Sequence, residues 1–192
     1  YLTRCLAQNI DFDTRKFVLS KLGAIYENKG MVADSAKLMS HSAELSTTFE
    51  GKMNDFLKSA ELYVKAGEFD QSEVSFAKAL ACANGIQKDR LKARRREYYK
   101  QQADVLMKKD KRKNAMEVFE KMMSLDYSIE DKKTFQKTLL GLYEKLGKIR
   151  EFYALQKAVQ SNVLFQQAQA QQQKQERPIP RGPSADDLLR GL

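Results

Sequence analysis

The segment Phe56–Asn84, FLKSAELYVKAGEFDQSEVSFAKALACAN, decides the fold. Phe56, Ala60 and Tyr63 recur at spacings of four and three, as do Phe69, Ser72, Phe76 and Ala79. Such spacing puts each set on one face of a helix. Gly67 separates the two helices, and a glycine just past a helix end suits the left-handed closing position. The segment thus predicts a pair of helices, with small Ala60 and Ser72 letting the backbones approach and large Tyr63 and Phe76 filling the space beside them.

The same arrangement recurs along the chain. A large apolar residue precedes a turn residue by four positions at Tyr26/Gly30, Tyr63/Gly67, Leu106/Asp110 and Tyr143/Gly147, with the turn residues 37, 43 and 37 apart. Self-similarity at such a period marks stacked helix pairs. Helices are predicted at about 12–28, 31–46, 50–66, 69–83, 88–109, 111–125, 129–146 and 148–173, with a partial helix at 1–8. Asp34, Asp70 and Ser128 are expected as N-caps, and Asn84-Gly85 as a break that absorbs the longer interval.

The pattern resembles the tetratricopeptide repeat family. Phe56, Ala60, Tyr63, Gly67, Ser72, Phe76 and Ala79 match the family's order of large, small, aromatic, turn, small, aromatic and alanine. Leu22-Gly23, Tyr26, Gly30, Ser35 and Met39 match in the first unit, and Tyr99, Ala103, Leu106, Ala115 and Phe119 in the third. The fourth keeps Leu140, Tyr143 and Gly147 but has Phe152 and Gln156 where small and aromatic residues are usual. The resemblance implies an all-α fold: a right-handed α-solenoid of about four antiparallel helix pairs, spanning 1–173 with a C-terminal capping helix. Residues 174–192 follow as a Pro-containing linker and a short amphipathic segment, in which Leu188, Leu189 and Leu192 share one side; the segment reads either as a disordered terminus or as a candidate tail that docks in the protein's own groove or on a neighbouring copy.

The resemblance also implies a peptide groove on the first helix of each unit. Its expected lining is Asn54, Leu57, Glu61, Val64, Lys100, Asp104, Met107 and Lys137. The lysine/asparagine clamp that some members use for a C-terminal carboxylate is not reproduced at the corresponding Ser20, Ala24, Leu57, Glu61, Lys100, Asp104, Lys137 and Gly141.

Charge singles out the third unit. The chain carries a net charge of +9 over 192 residues. Its window 88–113 holds Lys88, Arg90, Lys92, Arg94, Arg95, Arg96, Lys100, Lys108, Lys109, Lys111, Arg112 and Lys113 against only Asp89, Glu97, Asp104 and Asp110. Three readings apply: a solvated charged helix, a surface for an acidic protein, or a nucleic-acid surface with Tyr98 and Tyr99 interleaved.

Little in the sequence carries chemistry. Gly51-Lys52 lacks the remainder of a phosphate-binding loop, and His41 is the only histidine, beside Ser42 and near Glu44. Two cysteines and one histidine cannot supply a four-ligand zinc site. No cofactor or metal is expected. Cys5 and Cys82 read as small buried hydrophobes, which suits a reducing cytoplasm. The opening YLTRCLAQNIDFD does not read as a signal peptide, and no stretch is apolar enough for membrane insertion. The expected function is a non-enzymatic adaptor or scaffold binding a protein segment. The alternative is a nucleic-acid-associated protein, RNA before DNA.

Overall fold

The computed structural model describes residues 1–161. They are helical, with no strand among them. The chain divides into two compact units, Tyr1–Leu142 and Tyr143–Leu192. The first contains α1 (Leu2–Leu6), α2 (Phe12–Asn28), α3 (Val32–Leu45), α4 (Phe49–Ala66), α5 (Phe69–Ala81), α6 (Gly85–Lys108), α7 (Arg112–Ser124) and most of α8 (Ile129–Lys145). In the second, the chain is helical again from 149 to 161. The predicted boundary at 173/174, the end of the capping helix and Leu188, Leu189 and Leu192 all lie outside the described residues.

Neighbouring helices pack as hairpins, α2 on α3, α4 on α5 and α6 on α7, while α4 also packs on α3 and α6. The turns follow the sequence pattern. Gly30, Gly67 and Gly147 have φ of +78°, +83° and +68°, and Asp110 is the only non-glycine described residue with positive φ, at +51°. After Gly67 the chain reverses tightly, with the Glu68 amide donating to the Tyr63 carbonyl at 3.0 Å. The equivalent bond from Lys111 to Leu106 is also 3.0 Å, so Asp110 closes its turn as a glycine would.

Two of the hairpins are pinned by a serine. Ser35 Oγ donates to the Gly23 carbonyl at 2.8 Å, and Ser72 Oγ to the Ala60 carbonyl at 3.0 Å. Each serine lies twelve residues after its acceptor, at the crossing where the small residues meet. The third hairpin has Ala103 and Ala115 at these places, both buried. A further buried serine, Ser59, joins successive hairpins by donating to the Ala36 carbonyl at 2.9 Å. No buried side-chain nitrogen or oxygen among the described residues lacks a partner, as a close-packed interior requires.

Around these crossings lies the core. Met53, Phe56, Leu57 and Ala60 of α4 cluster with Ala43, Phe76, Ala79, Ala83 and Leu91. Tyr127 and Phe135 meet edge to face at 5.0 Å, and Phe135 lies 5.9 Å from Phe119. Leu22, Tyr63, Tyr99, Leu106, Phe119 and Tyr143 are buried as the periodicity predicts, whereas in the fourth unit Leu139 is buried and Leu140, the residue matched in the sequence, is only half-buried.

Helix starts differ from expectation. Asp34 and Asp70 lie inside the first turns of α3 and α5 rather than at their caps. The tight turn from the preceding helix leaves no extended residue to accept the capping bond; Met31 and Glu68 occupy those positions without a side-chain cap. The first helices are capped through backbone amides, by Asp11 to Thr14, Thr48 to Gly51 and, as expected, Ser128 to Asp131. Asn84 forms a reciprocal capping box with Gln87, so Gly85 opens α6 instead of breaking it. Helices α2, α4 and α8 begin fourteen residues before Tyr26, Tyr63 and Tyr143. The equivalent place in α6 is Lys92, so α6 starts seven residues early, an overhang of about 10 Å at 1.5 Å per residue.

Two substitutions test the crossing. Ser72→Ala is expected to cost about 1 kcal/mol, one buried hydrogen bond, in urea unfolding. Gly23→Ala is expected to stabilise by up to about 1 kcal/mol, because a Cβ there meets Met39 at an ordinary 3.6 Å and mid-helix glycine is unfavourable. Destabilisation by Gly23→Ala would show the crossing to be tighter than described.

Candidate functional site

Two surfaces have properties that packing alone does not explain. The first is formed by the helices that open each hairpin. In the Tyr1–Leu142 unit, the large exposed apolar residues on helices are Phe12, Phe17 and Ile25 of α2, Phe49 of α4, Ile86, Val105 and Met107 of α6, and Ile129 of α8, against only Val74 on α3, α5 and α7. Phe12, Phe49 and Ile129 are each the first residue of their helix, with exposures of 69%, 75% and 60%. That position needs no apolar side chain for capping. Isolated exposed apolar residues are ordinary, but a recurrence at one position of the repeat is not explained by chance exposure.

The expected groove is only partly assembled. Leu57 and Val64 are buried, at 4% and 2% exposure; Leu57 lines neither the cleft between α4 and α6 nor that between α6 and α8, and Val64 reaches only a cavity shared with Lys65, Gln102 and Leu106. The cause is the central position of α4, which packs on α3, α5 and α6 and so hides more than one stripe. Asn54, Asp104, Met107 and Lys137 are exposed. Glu61 lines a cleft of about 100 Å³ with Lys65, Tyr98, Gln101, Gln102 and Val105, between α4 and α6. Lys100 lines another, of about 430 Å³, with Ala93, Arg96, Glu97, Tyr127, Ser128 and Asp131, between α6 and α8. The expected residues therefore distribute over two clefts and open surface.

An ion network fixes the α4 side. Lys65 Nζ lies 2.6 Å from Glu61 and 3.3 Å from Glu27 of α2, and Lys58 lies 3.4 Å from Glu61 and 3.6 Å from Glu27. Burial acts to raise the Glu61 pKa, but the hydrogen bond from Lys65 and the charges of Lys58 and Lys65 outweigh it and hold the carboxyl below its ordinary value. Burial likewise acts to lower the Lys65 pKa, and its bonds to Glu61 and Glu27 raise it instead. Glu61–Lys65 is legible as an i,i+4 pair, whereas Glu27 joins only through the fold.

The twelve basic residues do not form one patch. Arg95 is turned inward: its Nε donates to Glu73 at 3.1 Å, a second contact joins the same carboxylate, and Tyr99 Oη donates to Glu73 at 2.9 Å. Burial, then the Glu73 charge and hydrogen bond, push the Tyr99 hydroxyl pKa up, so it stays protonated. Arg96 donates to the Asp126 carbonyl at 3.1 Å and Lys100 to Asp131 at 2.9 Å, with the Lys100 ammonium 5.4 Å from the Tyr127 ring centre. Tyr127 Oη donates to the Arg96 carbonyl at 2.6 Å, and its own pKa is raised by burial. These three cations join α6 to α5 and α8. The rest separate into Lys88, Arg90, Lys92 and Arg94 near the start of α6 and Lys108, Lys109, Lys111, Arg112 and Lys113 around its end, about 30 Å apart along the axis from Lys88 to Lys108.

His41 is exposed, and neighbouring Ser42 is buried and donates to Asp55 Oδ2 at 3.0 Å, a carboxylate also bonded by Ser46 and paired with Lys16 at 3.5 Å. These groups bond one another without a histidine between serine and aspartate. Among the described residues no group of three or more His, Cys, Asp or Glu is placed to hold a metal ion, and no helix is long and apolar enough to cross a membrane.

No protein-family model matches the chain, and no curated protein is significantly similar to it.

The Glu61 network predicts a pH signature. A carboxyl with a lowered folded-state pKa contributes stability above its ordinary value, and this is lost as pH falls through the folded value. Urea unfolding of Glu61→Gln is expected to show lower stability than the parent at neutral pH, with the gap closing below about pH 4.5, the ordinary value. A gap that stays constant across that range would remove Glu61 as its source.

Proposed function

We propose that this protein is a non-enzymatic adaptor, a tetratricopeptide-like right-handed solenoid whose first helices bind a segment of another protein. One observation carries this reading: within the Tyr1–Leu142 unit the large exposed apolar side chains on helices lie on α2, α4, α6 and α8, eight of them, against one, Val74, on α3, α5 and α7. Exposed apolar residues rimmed by charged ones are the usual composition of a protein-binding surface. The rim here includes Lys58, Lys65 and Glu27, already held in fixed positions by one another. Preset side chains lower the ordering cost of association.

The reading favours a polypeptide over a nucleic acid on this surface. Its clefts mix Glu61, Glu97 and Asp131 with Lys65 and Lys100, and a uniform polyanion gains little from such alternation. The resemblance supports an interaction module.

A peptide display selection on the parent chain, followed by substitution, tests it. Phe17→Ser, Ile25→Ser and Val105→Ser combined are expected to weaken the selected ligand by about 10-fold or more, roughly 1.4 kcal/mol from the lost apolar contacts. Val74→Ser on a second helix is expected to leave affinity unchanged. Equal sensitivity to both, or none to the triple variant, would refute the assignment.

A further inference from the structure

The cations of the turn between α6 and α7 are not explained by folding. Lys108, Lys109, Lys111 and Lys113 are exposed and make no ion pair among the described residues. Arg112 differs from them: its Nε donates to Asp110 Oδ1 at 2.7 Å and its Nη2 to Oδ2 at 3.2 Å. Asp110 is the residue with φ of +51°, at a place where the other turns use glycine. A carboxylate thus stands in a backbone conformation that favours glycine, and it orients a guanidinium.

The position of these cations costs stability. Lys108 and Lys109 suit the negative end of α6, but Lys111, Arg112 and Lys113 open α7, at its positive end. The first turns of α3 and α5 contain Asp34 and Asp70, whereas that of α7 contains no acid. Lys111 and Lys113, which oppose the local field and form no ion pair among the described residues, are left for something outside the fold.

What lies beside the turn restricts what that can be. Lys111 shares a cavity of about 200 Å³ with Glu117 and with apolar Phe69, Leu106 and Val118. Through Gly67, Phe69 and Glu117 this cavity continues into one of about 650 Å³, whose lining includes Glu68, Asp70 and Glu120. Lys121 partly offsets the acids, 3.7 Å from Asp70. The surface therefore passes from positive, at Lys111 and Lys65, to negative, at Glu117, Glu68 and Asp70, across two adjoining depressions. A nucleic-acid backbone drawn to the lysines would meet carboxylates next.

We propose that the α6–α7 turn and the adjoining cavities form a bipolar docking surface for a polypeptide segment in which a block of acidic residues adjoins a block of basic ones. Acidic side chains meet Lys108, Lys109, Lys111, Arg112 and Lys113, and basic ones meet Glu68 and Glu117. Charge order along the segment, rather than net charge, sets the preference. Lys65 and Gln102 line both this cavity and the cleft between α4 and α6, but the charged residues that carry the proposal, those of the turn with Glu68 and Glu117, are not among the residues of the first-helix surface.

Fluorescence anisotropy on the full chain tests this with defined probes. One peptide carries a run of glutamates, a Gly-Ser spacer and a run of lysines. A second has the same composition with the charges alternating, a third replaces its lysines by glutamines, and a short RNA duplex is the fourth. The block peptide is expected to bind about 10-fold tighter than the alternating one. Reversing Lys108, Lys109, Lys111 and Lys113 to Glu is expected to abolish that binding, and Glu68→Lys with Glu117→Lys to bring the block peptide down to the level of the lysine-free one. Retained helical circular dichroism and unchanged urea midpoints identify variants that still fold, and the single exposed change Lys109→Glu, expected to weaken binding several-fold, serves if the multiple variant does not. Equal binding of the block and alternating peptides, tighter binding of the RNA duplex, indifference to the turn substitutions, or no binding at about 1 mM would each overturn the proposal.

Discussion

The hydrogen bond from a serine hydroxyl to a carbonyl of the facing helix sets the geometry on which the rest of this structure depends. A helix carbonyl can accept it only if the two backbones come close, and closeness requires small residues at the crossing. Gly23 and Ser35 meet this condition in the first hairpin, Ala60 and Ser72 in the second. Large residues on either side, Tyr63 and Phe76 among them, then fill the space that the approach leaves. The bond adds direction to what would otherwise be apolar contact, since it fixes how far one helix can slide along the other. In the third hairpin Ala103 and Ala115 keep the closeness without the bond. There Glu73, received by Arg95 and Tyr99, supplies directional contact between α5 and α6 instead. The charge of the third unit is thus partly structural, and only what remains after those contacts is free to meet a partner.

Much of this was legible because it depends on spacing. The recurrence of Tyr26, Tyr63 and Tyr143 four residues before glycine located the turns, and the φ values at Gly30, Gly67 and Gly147 follow from the same pattern. Helix limits agree to within a few residues because turns and apolar stripes are local. Capping was less legible, since whether an aspartate caps or merely follows a cap depends on the residue before it. Asp34 and Asp70 sit after tight reversals that leave no room for a capping residue, while Asp11 and Thr48 stand in extended backbone.

The site was legible only in outline. Leu57 and Val64 have the spacing of an exposed flank, but α4 is covered on several sides, and no one-helix pattern reveals how many neighbours a helix has. The basic window was visible as composition. Its division was not, because the partners that absorb Arg95, Arg96 and Lys100 are 22 to 31 residues away in sequence. The recurrence of Phe12, Phe49 and Ile129 at helix starts could have been found from the same period that located the turns.

The early start of α6 has a mechanical meaning. Its first seven residues extend beyond the level at which α2, α4 and α8 begin, and Ile86 rides on that overhang. A rigid body laid across the helix starts and resting on Phe12 and Phe49 would then meet a step of about 10 Å. Such a step acts as a stop: it sets where along the edge a stiff rod must end, while a pliable chain can climb over it.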